Sequence, residues 1–93
     1  MRRALAIAEA SFGAEHPIVA RDLNNLAQLL QDTNRLAEAE PLMRRALAIF
    51  IRSYGLEHPS PKTVWQNYNV LGQTLGWSEN QILEAVKSQM ALT

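Results

Sequence analysis

Residues 43–59 read MRRALAIFIRSYGLEHP, and residues 1–17 read MRRALAIAEASFGAEHP. Taken alone, the first copy has the look of an export signal, with two arginines, a short apolar run and then small residues. A signal is used once, at the terminus, and needs an apolar stretch of roughly 7–15 residues. Here Glu9 interrupts the run after "ALAIA", and the second copy lies in the interior. The stretch is therefore a structural unit written twice, with Met1 aligned to Met43 at an offset of 42 residues. Repetition at a fixed period of this size is the mark of a stacked array.

The apolar residues around the repeat have helical spacing. Ala39, Leu42, Met43, Ala46, Leu47 and Phe50 fall at i, i+3, i+4, i+7, i+8 and i+11, which is one face of an α-helix. Val19, Leu23, Leu26, Ala27 and Leu30 form a second stripe. Glu40 precedes Arg44 by four residues, the favourable order for a surface ion pair. No segment alternates with period two, so no strand is expected. "FGAEHP" and "YGLEHPSP" each put a glycine just past a helix and a proline at the start of the next. Asp32 to Asn34 reads as a tight turn, and Ser78 with Gln81 as a capping box. These signals predict five helices, over about 1–12, 17–32, 35–53, 61–75 and 78–91. Neighbours joined by short loops are expected to pack antiparallel.

The 93 residues accommodate one domain, and nine basic against nine acidic side chains give no net charge. That balance lacks the basic footprint of a nucleic-acid binder and of a cationic membrane-surface helix. No apolar run approaches the 18 or so residues of a membrane span. The absence of cysteine removes disulfides, thiolate metal sites and a cysteine nucleophile. With no export signal, the expected compartment is the cytoplasm.

The segment HPIVARDLNNLAQLLQDTNRLAEAEPLMRRALAI, from His16, resembles a tetratricopeptide repeat. More narrowly it is similar to the 42-residue variety of kinesin light chains and many bacterial signalling proteins. "HP", "LNNLA", "EAEPL" and "RALAI" carry the resemblance, over about residues 1–75. The family's small packing positions fall on Ala27, Ala39 and Ala46, and its large ones on Leu23, Leu26, Leu30 and Met43. Asn34 stands where the family often has glycine, and Asn69 where it has a small residue. "SENQILEAVKSQM" hardly matches. The resemblance implies an all-α fold, a short right-handed α–α superhelix of about five antiparallel helices. Residues 1–16 would be the second helix of an incomplete repeat, 17–58 one full repeat, and 59–93 a degenerate C-terminal repeat or cap.

The same resemblance implies a protein-binding module rather than an enzyme. In similar repeats the first helix of each hairpin lines a concave groove. The residue matching Asn25 there holds the backbone of an extended peptide, through an amide that offers both donors and an acceptor. Asn67 is the counterpart of Asn25, and Gln66 that of Asn24. By helical spacing Arg21, Gln28 and Asp32 share the face of Asn25. The alternative is that the asparagines bridge successive hairpins, in a structural cap or self-associating unit without a peptide ligand. For self-association the candidates are Met1, Ala4, Leu5 and Ala8, since helix one has no hairpin partner before it and a homodimer through its open side is expected. His16 and His58 sit at equivalent places in successive repeats, and each is expected to end one helix or cap the next, not to bind metal. No cofactor is expected: there is no glycine-rich phosphate loop, no nucleophile with a histidine–acid partner and no paired carboxylate. Trp65 and Trp77 read as packing residues.

Overall fold

The computed structural model describes residues 2–13 and 15–91. They form five helices: α1 (Arg2–Phe12), α2 (Pro17–Asp32), α3 (Leu36–Tyr54), α4 (Pro59–Thr74) and α5 (Glu79–Ala91), with no strand among the described residues. The fold is all-α and of the helical-repeat kind, as expected.

The helix starts follow from local chemistry. His16 Nδ1 accepts the Ile18 N–H at 3.1 Å, and His58 Nδ1 accepts the Ser60 N–H at 3.1 Å. Each histidine thus supplies the acceptor that the free N–H groups of a first turn require. A proline follows each cap, at Pro17 and Pro59. α4 therefore begins at Pro59, two residues before the expected start, because the histidine cap and not Pro61 sets the boundary. Ser78 and Gln81 exchange bonds of 2.7 and 3.2 Å, completing the capping box that opens α5. At the other ends, Gly13 and Gly55 take φ of 88° and 81°, and Asn34 takes 60° in the α2–α3 turn. Asparagine is one of the few non-glycine residues that enters this region readily.

α2 and α3 form a hairpin with the most extensive helix contact in the molecule. Leu23, Ala27 and Leu30 of α2 join Ala39, Met43, Ala46 and Leu47 of α3 in one core, nearly all of it sealed from solvent. Ala27 and Ala46 are fully buried. Trp65 and Trp77 pack against this core while partly open to solvent, in line with their reading as packing residues.

Two expectations are corrected. Glu40 is not a surface residue: it is 8% exposed, and its Oε2 accepts a 2.6 Å hydrogen bond from the Tyr68 hydroxyl of α4. Arg44 does stand beside it, with Nε 3.5 Å from the same oxygen. Leu5 and Ala8 do not lie on an open side of α1. They are buried, because that face packs on α2. Among the described residues, the large apolar side chains that α1 leaves exposed are Ile7 and Phe12. Met1 lies outside the described residues, as do the side-chain surroundings of Ala4.

α5 departs from the register of the repeat. The 42-residue offset puts Gln81, Ala85 and Gln89 where α3 has Ala39, Met43 and Leu47. The core instead takes Ile82 and Val86, each one position later. One residue is about 100° of helix rotation, so α5 presents a different face from α3. Gly72, on α4, makes this possible. A Cβ built there would lie 2.6 Å from Ile82 Cγ1, so Ile82 rests directly on the α4 backbone. Arg52 of α3 holds the far end of α5, donating from Nη2 to the Met90 carbonyl at 2.7 Å. Its Nη1 reaches Glu15, before α2, at 3.2 Å.

Candidate functional site

The two first helices of the hairpins, α2 and α4, flank a groove. One hollow in it, of about 260 Å³, has Arg21 and Asn24 on the α2 side, Ser60, Thr63 and Val64 on the α4 side, and Phe50 of α3 between them. A second hollow of about 290 Å³ adjoins it through Arg21, Phe50 and Ser60, and adds Pro17, Ile18 and Tyr54. The paired His–Pro starts place α2 and α4 in equivalent registers, which is why Pro17 and Pro59 both reach this groove.

Its polar equipment is sparse. Arg21 is the only charged side chain among the described lining residues. Its guanidinium is mostly exposed and lies 3.5 Å from Asp22 Oδ1. Asn24 Oδ1 is shut off from solvent and has no hydrogen-bond partner among the described residues. A buried polar atom without a partner is rare in a folded protein and costs about 1–3 kcal/mol of desolvation. Along one edge Phe50, Tyr54 and His58 form a stacked row, with ring centroids 6.0 and 4.3 Å apart.

Of the residues singled out from the sequence, the groove brings together Arg21 and Asn24. Asn25, Gln28, Asp32 and Gln66 are exposed but do not line either hollow, and Asn67 is half-buried. Asn69 turns back on its own helix, its Nδ2 donating to the Trp65 carbonyl at 2.8 Å. Phe50, Tyr54 and Ser60 were not marked as site residues by sequence, whereas Thr63, which helical spacing puts on the α4 counterpart of the Asn25 face, does line the groove. Phe50 reads as a core residue and is one, at 9% exposure, yet it also forms the groove floor. The exposed aromatic Tyr54 beside the glycine of the repeat loop is the signal that could have pointed to this edge.

A family model described as tetratricopeptide repeat matches residues 1–52, more than half of the chain. The chain belongs to the tetratricopeptide repeat family. Tetratricopeptide repeats are interaction modules for other proteins, generally without catalytic activity of their own. The matched region runs from α1 nearly to the end of α3, so it holds all of α2 and most of α3. Comparison with curated proteins found no match. Among the described residues no group of three or more histidine, cysteine or acidic side chains is arranged to hold a metal ion. No described helix of this tetratricopeptide repeat chain is long and apolar enough to cross a membrane.

Proposed function

We propose that the groove between α2 and α4 binds an extended segment of a partner protein. The observation that carries this reading is Asn24 Oδ1, an acceptor at the groove wall that the fold leaves without a donor. An extended peptide presents backbone N–H and C=O groups in alternation, and an asparagine amide can answer both. A small rotation of the Asn24 amide exchanges burial for a bond to the ligand backbone. Phe50, Val64 and Tyr54 supply apolar surface for ligand side chains, and Arg21 fixes orientation at the rim. In this reading Asn24, and not Asn25, is the principal contact. Residues 17–58 act as one full repeat, 1–16 as the second helix of an incomplete one, and 59–93 as a degenerate closing repeat. The module works in the cytoplasm.

The test is a peptide-array binder measured by calorimetry against Asn24→Ala, Asn25→Ala and Arg21→Ala. Losing a neutral hydrogen bond costs about 0.5–1.5 kcal/mol, so Asn24→Ala should weaken binding by about 2- to 13-fold. Its melting temperature should hold or rise, since the substitution removes an unpaired buried acceptor. A binder whose affinity is indifferent to Asn24→Ala and Arg21→Ala would overturn the assignment.

A further inference from the structure

The flank of α4 turned away from the groove carries a second concavity, sharing no lining residue with the first. It has a volume of about 250 Å³ and lies between α3, α4 and α5. α3 supplies Leu47 and Ile51, α4 supplies Pro61 and Trp65, and α5 supplies Leu83 and Val86. Leu56, 68% exposed in the α3–α4 loop, stands at its edge. Its one polar lining residue is Lys62.

The hollow follows from the turn of α5. Where α3 carries Met43 and Leu47, α5 offers Ala85 and Gln89 at the equivalent positions. Ile82 is spent against Gly72, deep on the α4 side. Leu83 and Val86 are the α5 side chains at this space, and they leave it open beside Trp65. An apolar cavity of about 150 Å³ already admits a benzene ring, so this one has room for a larger apolar body. Apolar lining with one placed polar group is the usual make-up of a small-molecule site.

The polar group decides the ligand's charge. Lys62 pairs only loosely: its Nζ is 3.7 Å from Glu57, whose side chain is 97% exposed. An exposed pair of this kind contributes little and yields readily to a ligand carboxylate whose apolar part is anchored beside it. The walls offer no acceptor-rich surface for a sugar or nucleotide and no cluster of anionic ligands for a metal.

We propose that this hollow binds a small apolar monocarboxylate, its hydrocarbon part between Ile51, Trp65 and Leu83 and its carboxylate on Lys62. This site is independent of the peptide groove.

The experiment titrates the ¹⁵N-labelled protein with octanoate, and separately with octan-1-ol, following amide signals of the wild type, Lys62→Gln and Leu83→Trp. Octanoate should shift Ile51, Trp65 and Leu83 and leave Arg21 and Asn24 in place. Lys62→Gln should weaken octanoate by about two- to fivefold, the range of an exposed ion pair, and leave octanol unchanged. Leu83→Trp, which fills the hollow, should remove both. No shift at low-millimolar octanoate, shifts confined to the groove, or equal octanoate affinity in the wild type and Lys62→Gln would each overturn the proposal. So would binding to anionic vesicles without binding to octanoate. Lys62 is exposed, so its variant decides the matter even if Leu83→Trp does not fold.

Discussion

The Tyr68 hydroxyl donates a 2.6 Å hydrogen bond to Glu40 Oε2, and both residues are buried. This contact joins the second hairpin to the first through a buried carboxylate, with Arg44 nearby at 3.5 Å. Tyr68→Phe should leave that carboxylate short of a donor. The expected loss is about 1–3 kcal/mol, read by urea denaturation. Equal midpoints for the variant and the wild type would show that the contact does not hold the hairpins together.

The same pair makes a pH prediction. Burial foremost, and then the hydrogen bond to the Glu40 carboxylate, raise the Tyr68 pKa well above its ordinary value of 10. The folded state therefore keeps the phenol neutral where the unfolded chain would release the proton. The stability this represents is complete below pH 10 and is lost as pH rises from there toward the folded-state value. The melting-temperature gap between wild type and Tyr68→Phe should be constant from neutral pH to about 9 and should narrow above 10. A gap that widens in alkali would refute this.

Gly72→Ala tests the placement of α5. In an isolated helix the change would stabilise by about 1 kcal/mol. Here the new methyl group meets the end of the Ile82 side chain at less than contact distance, and Ile82 is fully buried, so that side chain must shift within the core to admit it. Net destabilisation of about 1–3 kcal/mol is expected from overpacking, partly relieved by Ile82→Val in a double-mutant cycle. A more stable Gly72→Ala protein would show that α5 does not rest on α4 at this point.

Arg52→Met should loosen the end of α5 selectively. The guanidinium bonds the Met90 carbonyl and pairs with Glu15, and cations near the last carbonyls of a helix are favourable. Because the Glu15 side chain is half exposed, the effect on global stability should be small, about 1 kcal/mol or less. Hydrogen exchange should show faster opening of amides in the last turns of α5 with α2 and α3 unchanged. Uniform acceleration across all helices would contradict this.

Ala46→Leu should strain the α2–α3 hairpin by about 1–3 kcal/mol, because Ala46 is fully buried. Arg45→Ala, next to it, removes a 3.1 Å pair with Glu9 between side chains about one-third exposed, and should cost less than 1 kcal/mol. If thermal unfolding ranks the two variants in the opposite order, the faces of α3 are misassigned. Leu5→Glu would likewise report on folding, since Leu5 is a core residue.

Helix positions, turns and caps were legible in the sequence because each depends on a few adjacent residues. The His–Pro starts, the Ser78–Gln81 capping box, the positive φ of Gly13 and Gly55 and the left-handed Asn34 are all local events. The apolar stripes on α2 and α3 likewise showed which residues face inward. Which neighbour covers each flank was decided only in the tertiary structure. Successive residues of a helix point about 100° apart, so a flank assigned one position off exchanges groove for solvent, as with Asn24 and Asn25. The same arithmetic separates Val86, the α5 core residue, from Ala85, the position that the 42-residue offset matches to Met43. Periodicity marks Glu40 as polar and therefore outward. It became an interior residue because Tyr68, 28 positions away in the chain, brings the donor that makes its burial tolerable.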